Sequence, residues 1–194
     1  MVCLLCNLII LVASWLGLVH FSDGLGVGRQ FLTWFTMCVF TSSLVTFLLS
    51  IFVEPGYIQP KYDFIWLVDQ FLEQNIHLDN LCVFDEIIKS ENSFHCTICN
   101  RCSDNYDHHC PFIDNCLGTK NHKYFLLFLA SYFTYSLLVV LCAIWKFVEF
   151  SRNIETRRNS DMYWTSILFG LIVLPMPVLV FQFIEQLKNL NKPP

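Results

Sequence analysis

The reactive side chains of this sequence crowd into one short stretch, His95-Cys96-Thr97-Ile98-Cys99-Asn100-Arg101-Cys102, followed by Asp107-His108-His109-Cys110-Pro111-Phe112 and then Asn115-Cys116. Cysteines and histidines at this density, with a Cys-x2-Cys step, are suited to tetrahedral zinc, which takes thiolate and imidazole ligands. Disulfides are the alternative for the cysteines, but they leave the histidines without a purpose. Cys96, Cys99, His109 and Cys116 make a C-x2-C-x9-H-x6-C set. Fourteen residues upstream of each stand Cys82, Asp85, His95 and Cys102, the same spacing with one carboxylate in place of one thiolate. Two interleaved metal sites follow, the second with Asp85 as an oxygen ligand.

Between Cys82 and Cys116 this assignment leaves out one histidine, His108, and one cysteine, Cys110. A structural zinc site has no use for them. A nucleophilic cysteine needs a base to generate thiolate, and the base needs an acceptor that fixes its tautomer. Asp107, His108 and Cys110 supply acceptor, base and nucleophile. The plainer alternative makes Asp107 and His108 a solvated turn and Cys110 a spare thiol.

Something must hold this stretch in place, and composition says what. Of the 194 residues, 55% are hydrophobic and 14% charged, too little charge for the surface of a soluble domain. The net charge of −4 gives no reason to expect nucleic acid. Apolar residues gather in Met1–Phe21, Gln30–Val53, Tyr124–Trp145 and Tyr163–Ile184, none of which contains Asp, Glu, Lys or Arg. Each is long enough to cross a hydrocarbon core of about 30 Å as a helix. A secretory signal is the alternative for the first, which lacks a basic start and an A-x-A-like cleavage site. The expected fold is therefore an all-α polytopic membrane protein. Four transmembrane helices flank a zinc-stapled, cysteine-rich domain between helices 2 and 3. The division is 1–53 for the first two helices, 54–123 for the zinc domain, 124–187 for the last two helices, and 188–194 for a short tail. The insert holds 11 of the 16 acids and six of the ten cysteines. Basic residues flank both sides of the membrane, and the free thiols place the insert and both termini in the reducing cytoplasm.

Asp107-His108-His109-Cys110-Pro111, with Asn115-Cys116-x-Gly118-x2-Asn121-x3-Phe125 after it and Glu54-Pro55-Gly56 before it, resembles the DHHC family of protein S-acyltransferases. The resemblance covers nearly the whole chain, including its four-span plan. It implies that Cys110 accepts the acyl group, with His108 as its base and Asp107 orienting the base. It implies zinc on Cys96, Cys99, His109 and Cys116, and on Cys82, His95 and Cys102, where the family has cysteine at the position of Asp85. Lys89 falls where a basic residue meets the phosphates of coenzyme A. Acyl-CoA would be co-substrate, with palmitoyl the expected acyl group. The partners would be the lipid bilayer and proteins bearing membrane-proximal cysteines, at an endomembrane such as the ER or Golgi. Phe112 stands for the usual tryptophan, Glu54 for aspartate, and the tail lacks the usual Thr-Thr-x-Glu. Two rivals differ in class. One is a zinc-stapled membrane adaptor without activity. The other is a redox or metal-transport protein, which the absence of acids within the spans disfavours.

Overall fold

The computed structural model describes residues 27–74, 80–152 and 180–186, together with residues 12 and 170. These fall into two compact units, 1–47 with 126–194, and 48–125.

The first unit holds most of two long helices, α1 (Val27–Phe52) and α3 (His122–Arg152). Both contain a stretch apolar and long enough to span a membrane, Gln30–Phe52 at mean hydropathy 2.0 and His122–Trp145 at 2.2. The hydroxyls of Thr36, Thr41 and Thr46 donate to carbonyls four residues back, which hides polar groups that lipid could not satisfy. Phe47 packs on Phe128 at 4.9 Å and Phe40 on Tyr135 at 5.5 Å, joining the two helices in this unit. Phe31 and Trp34 stay exposed, as side chains facing acyl chains would. Helix α3 runs to Arg152, beyond the end of the expected span at Trp145. The expected first span, nearly all of the fourth, and the tail lie outside the described residues.

The second unit departs from an all-α fold. Besides a short helix α2 (Phe64–Glu73), it is built of three two-stranded antiparallel hairpins. Strand β1 (Leu81–Cys82) pairs with β2 (Ile87–Ile88), β3 (Phe94–Cys96) with β4 (Arg101–Ser103), and β5 (His109–Cys110) with β6 (Asn115–Cys116). Strands of two or three residues are too short to show a period of two, so ligand spacing rather than hydrophobic alternation marks them. Each turn closes on a non-glycine residue in the left-handed region, Glu86, Asn100 and Asp114. Helix α2 begins where Asp63 accepts a hydrogen bond from Trp66 N at 3.1 Å, an ordinary N-cap. Among the described residues a small apolar cluster holds the first two hairpins, with Cys82, Ile87 and Cys102 buried against Ile58. So little buried apolar surface needs cross-links to hold it.

Candidate active site and metal centres

Each turn presents its first residue and the residue three later on one side, the arrangement that makes Cys-x2-Cys a chelate. In the second hairpin Cys99 N donates to Cys96 Sγ at 3.4 Å, which tightens the turn around the sulfur. Burial works against the Cys96 thiolate, but the backbone N–H groups of Cys99 and Ile98 and neighbouring thiols outweigh it and lower the pKa.

Cys96, Cys99, His109 and Cys116 bring their ligand atoms within 4.8 Å of one another, as do Cys82, Asp85, His95 and Cys102. A tetrahedral ion with bonds of about 2.0–2.3 Å has ligand–ligand edges of about 3.3–3.8 Å. The first set shows Cys99 Sγ to His109 Nδ1 at 3.4 Å, Cys116 Sγ to Cys99 Sγ at 3.3 Å and Cys116 Sγ to His109 Nδ1 at 3.8 Å. The second shows His95 Nδ1 at 3.6 Å from Cys82 Sγ, 3.7 Å from Cys102 Sγ and 3.1 Å from Asp85 Oδ2. These are the edges of a four-ligand shell, and both sets fit a tetrahedral divalent cation. Asp85 Oδ2 also accepts a hydrogen bond from Cys102 N. Burial raises the Asp85 pKa, but its bonds to Cys102 and His95 outweigh that and hold the carboxyl below its usual range, ready to ligate as an anion.

Cys110 and His108 belong to neither cluster. The Cys110 side chain is fully buried. His108 Nδ1 lies 3.0 Å from Asp107 Oδ2. That bond, and the neighbouring Cys110 thiol, raise the His108 pKa to about 9, with burial opposing them. An imidazole of this basicity, bonded to a carboxylate and two residues from a buried thiol, is suited to take the thiol's proton. Lys89, on the strand end after β2, is half-buried, and its N–H bonds Asn80 O at 2.7 Å.

Spacing alone gave no role to several residues that hold this arrangement. Asn115, beside Cys116, donates to Ile51 O at 3.0 Å and ties β6 to the last turn of α1. Asn121 is fully buried, donates to Cys116 O at 2.8 Å and accepts from Gly118 N at 3.0 Å. Gly118 is packed so closely that a Cβ there would meet Ser103 Oγ at 2.5 Å and Pro55 O at 2.6 Å. Lys120 and Glu54 form an ion pair. His122 has no partner in the ligand spacing, yet its Nε2 stands 3.8 Å from Asp107 Oδ2. The asparagines and Gly118 could have been found as small or amide residues at fixed steps from Cys116. His122 carried no such signal.

A family model described as DHHC palmitoyltransferase matches residues 75–192. Among curated relatives, palmitoyltransferase AKR1 of Mortierella alpina is 34% identical over 128 residues, which is 61% of this chain and 22% of the relative. Palmitoyltransferase ZDHHC2 of Homo sapiens is 40% identical over 68 residues, 35% of this chain and 18% of the relative. Palmitoyltransferase akr1 of Schizosaccharomyces pombe is 34% identical over 130 residues, 62% of this chain and 19% of the relative. The matched regions span about a fifth of the length of these relatives. With its two Cys/His clusters and two long apolar helices, the chain belongs to the DHHC palmitoyltransferase family, membrane proteins with a cysteine-rich zinc-binding domain.

Proposed function

We propose that this chain transfers a palmitoyl or similar long acyl group from acyl-CoA, through Cys110, to cysteines of membrane-associated proteins. The observation that carries this is the position of Cys110: buried, outside both metal clusters, and two residues from an imidazole that is itself bonded to Asp107. His108 takes the Cys110 proton, and the thiolate attacks the thioester carbonyl. The carbon–sulfur bond to CoA breaks, and the CoA thiolate leaves with the proton returned by His108. A substrate thiol then gives its proton to His108, attacks the acyl-cysteine and restores the Cys110 thiol. Two zinc ions, on Cys96/Cys99/His109/Cys116 and Cys82/Asp85/His95/Cys102, would hold the hairpins rigid and take no part in the chemistry. Lys89 would meet the CoA phosphates. The acyl chain would lie among apolar helices, four in the whole fold, each buried methylene contributing about 0.8 kcal/mol. The zinc domain, residues 54–123, and both termini would face the cytoplasm at an endomembrane.

The test uses the full chain in detergent with labelled palmitoyl-CoA. A hydroxylamine-sensitive adduct should form on the wild type and vanish in Cys110→Ser, with both zinc ions retained. No adduct on a folded, zinc-loaded wild type would sink the proposal and leave a metal-stapled adaptor. Zinc loss in Cys110→Ser would show that the ligands are misassigned.

A further inference from the structure

The three hairpins repeat at one step. The cross-strand pairs Leu81–Ile88, His95–Cys102 and His109–Cys116 stand 14 residues apart, as do Cys82–Ile87, Cys96–Arg101 and Cys110–Asn115. The left-handed residues that close the turns, Glu86 (φ 56°), Asn100 (φ 52°) and Asp114 (φ 53°), keep the same step. Ligand supply follows it too. Each of the first two turns gives two ligands, Cys82 with Asp85 and Cys96 with Cys99. The other two come from the cross-strand pair of the next hairpin, His95–Cys102 and His109–Cys116.

The third turn has the same build. Cys110 opens it in the position of Cys82 and Cys96, and the place of Asp85 and Cys99 is taken by Ile113. Both Cys110 and Ile113 are fully buried. One further step would call for ligands at Lys123 and Ala130, which have none to offer a zinc ion in this setting.

We infer that Cys110 occupies the metal-ligand position of a third turn, and that Ile113 is the residue that keeps metal off it. The inference rests on Cys110 being the nucleophile and explains how that thiol stays available beside two metal-binding clusters. The equivalent turn sets Cys99 as the chelating partner of Cys96. A sulfur at position 113 would therefore stand within reach of Cys110, as Cys99 does of Cys96. Binding would expel the Cys110 proton to solvent and occupy the lone pair that attacks the thioester. An isoleucine there, fully buried, offers an ion no electron pair. Cys110, His108 and Asp107 do not form a metal-binding cluster among the described residues.

The experiment uses the purified full chain, comparing wild type with Ile113→Cys, Ile113→Ser and Ile113→Val after loading with Cd2+. Bound metal is counted by mass spectrometry, and alkylation of Cys110 by a maleimide is timed by peptide mapping. Wild type, the serine and the valine variants should bind equal metal and expose Cys110 equally. Ile113→Cys should bind one ion more, and at ten times its Kd alkylation of Cys110 should slow about tenfold. A chelator that leaves the other clusters loaded should restore the rate. Should Ile113→Cys fail to fold, Ile113→Met, closer in volume, repeats the test with Cu(I), for which a thioether is a ligand. Wild-type metal content and wild-type alkylation in the folded ligand variant would overturn the inference, as would equal protection in Ile113→Ser. Neither readout involves acyl transfer, so a missing acyl adduct would count against the proposed reaction alone.

Discussion

Replacing Asp85 examines the whole two-metal scheme, because it is the one oxygen in eight ligand positions. A structural zinc site of four ligands binds with about 10–16 kcal/mol, or roughly 3–4 kcal/mol per ligand. Asp85→Ala removes one ligand and also strips Cys102 N of its acceptor. The expected loss is at least about 10²–10³ in affinity, with a further 1–3 kcal/mol for a polar group left unpaired. Plasma mass spectrometry after dialysis against a weak chelator should find two zinc ions per wild-type chain and one in Asp85→Ala. Asp85→Cys restores thiolate and should keep both at equal or greater affinity. Asp85→Asn keeps an acceptor for Cys102 N but loses the anion, and should fall between. One zinc in the wild type, unchanged in Asp85→Ala, would refute the scheme and make Asp85 a hydrogen-bonding residue only.

His108→Ala and His109→Ala should fail differently. The first keeps zinc and slows acylation by about 10²–10⁴, the second loses an ion and loosens the hairpins; equal zinc loss in both would defeat the division. The raised His108 pKa has a signed consequence. Its stabilisation should be full below pH 6.5 and fade as pH rises through about 9, so the Tm gap to His108→Gln should narrow toward pH 10. With this side chain more than a third exposed, screening limits the effect to about 1 kcal/mol, and a gap that widens with pH would reverse the assignment. Gly118→Ala should lower Tm by several degrees, since two of the three atoms its methyl would strike are backbone carbonyl oxygens. An unchanged Tm would mean the loop yields freely.

The ligand sets were legible because metal chelation imposes residue type and spacing together; Asp107, His108 and Cys110 stood out as the residues left over, with the roles proposed above. The two described apolar helices were legible from length and lack of charge. The hairpins were not, since strands as short as Leu81–Cys82 carry no alternation and owe their register to the turns. Helix α2 escaped notice although Asp63 before Phe64-Ile-Trp-Leu is a helix-start signal. His122 could not be found from sequence because it reaches Asp107 from the first turn of α3, a consequence of how the chain folds back. The 14-residue step that relates the two ligand sets also runs beyond them. Followed downstream it lands on Cys110.

Because each cluster draws two of its residues from one hairpin and two from the next, metal loading would have a direction during synthesis. A nascent chain completes Cys82, Asp85, His95 and Cys102 before it has made Cys110 or Cys116. The upstream site can close at once and fix the second hairpin in register. The downstream site meanwhile waits with Cys96 and Cys99, and the next thiol to leave the ribosome is Cys110. For the few residues until Cys116 emerges, the thiol proposed as nucleophile is the next sulfur beside a site that has only Cys96, Cys99 and His109 of its four ligands. Prompt metal supply at the start of the domain, and a third turn unable to chelate, together guard against a misloaded protein at birth.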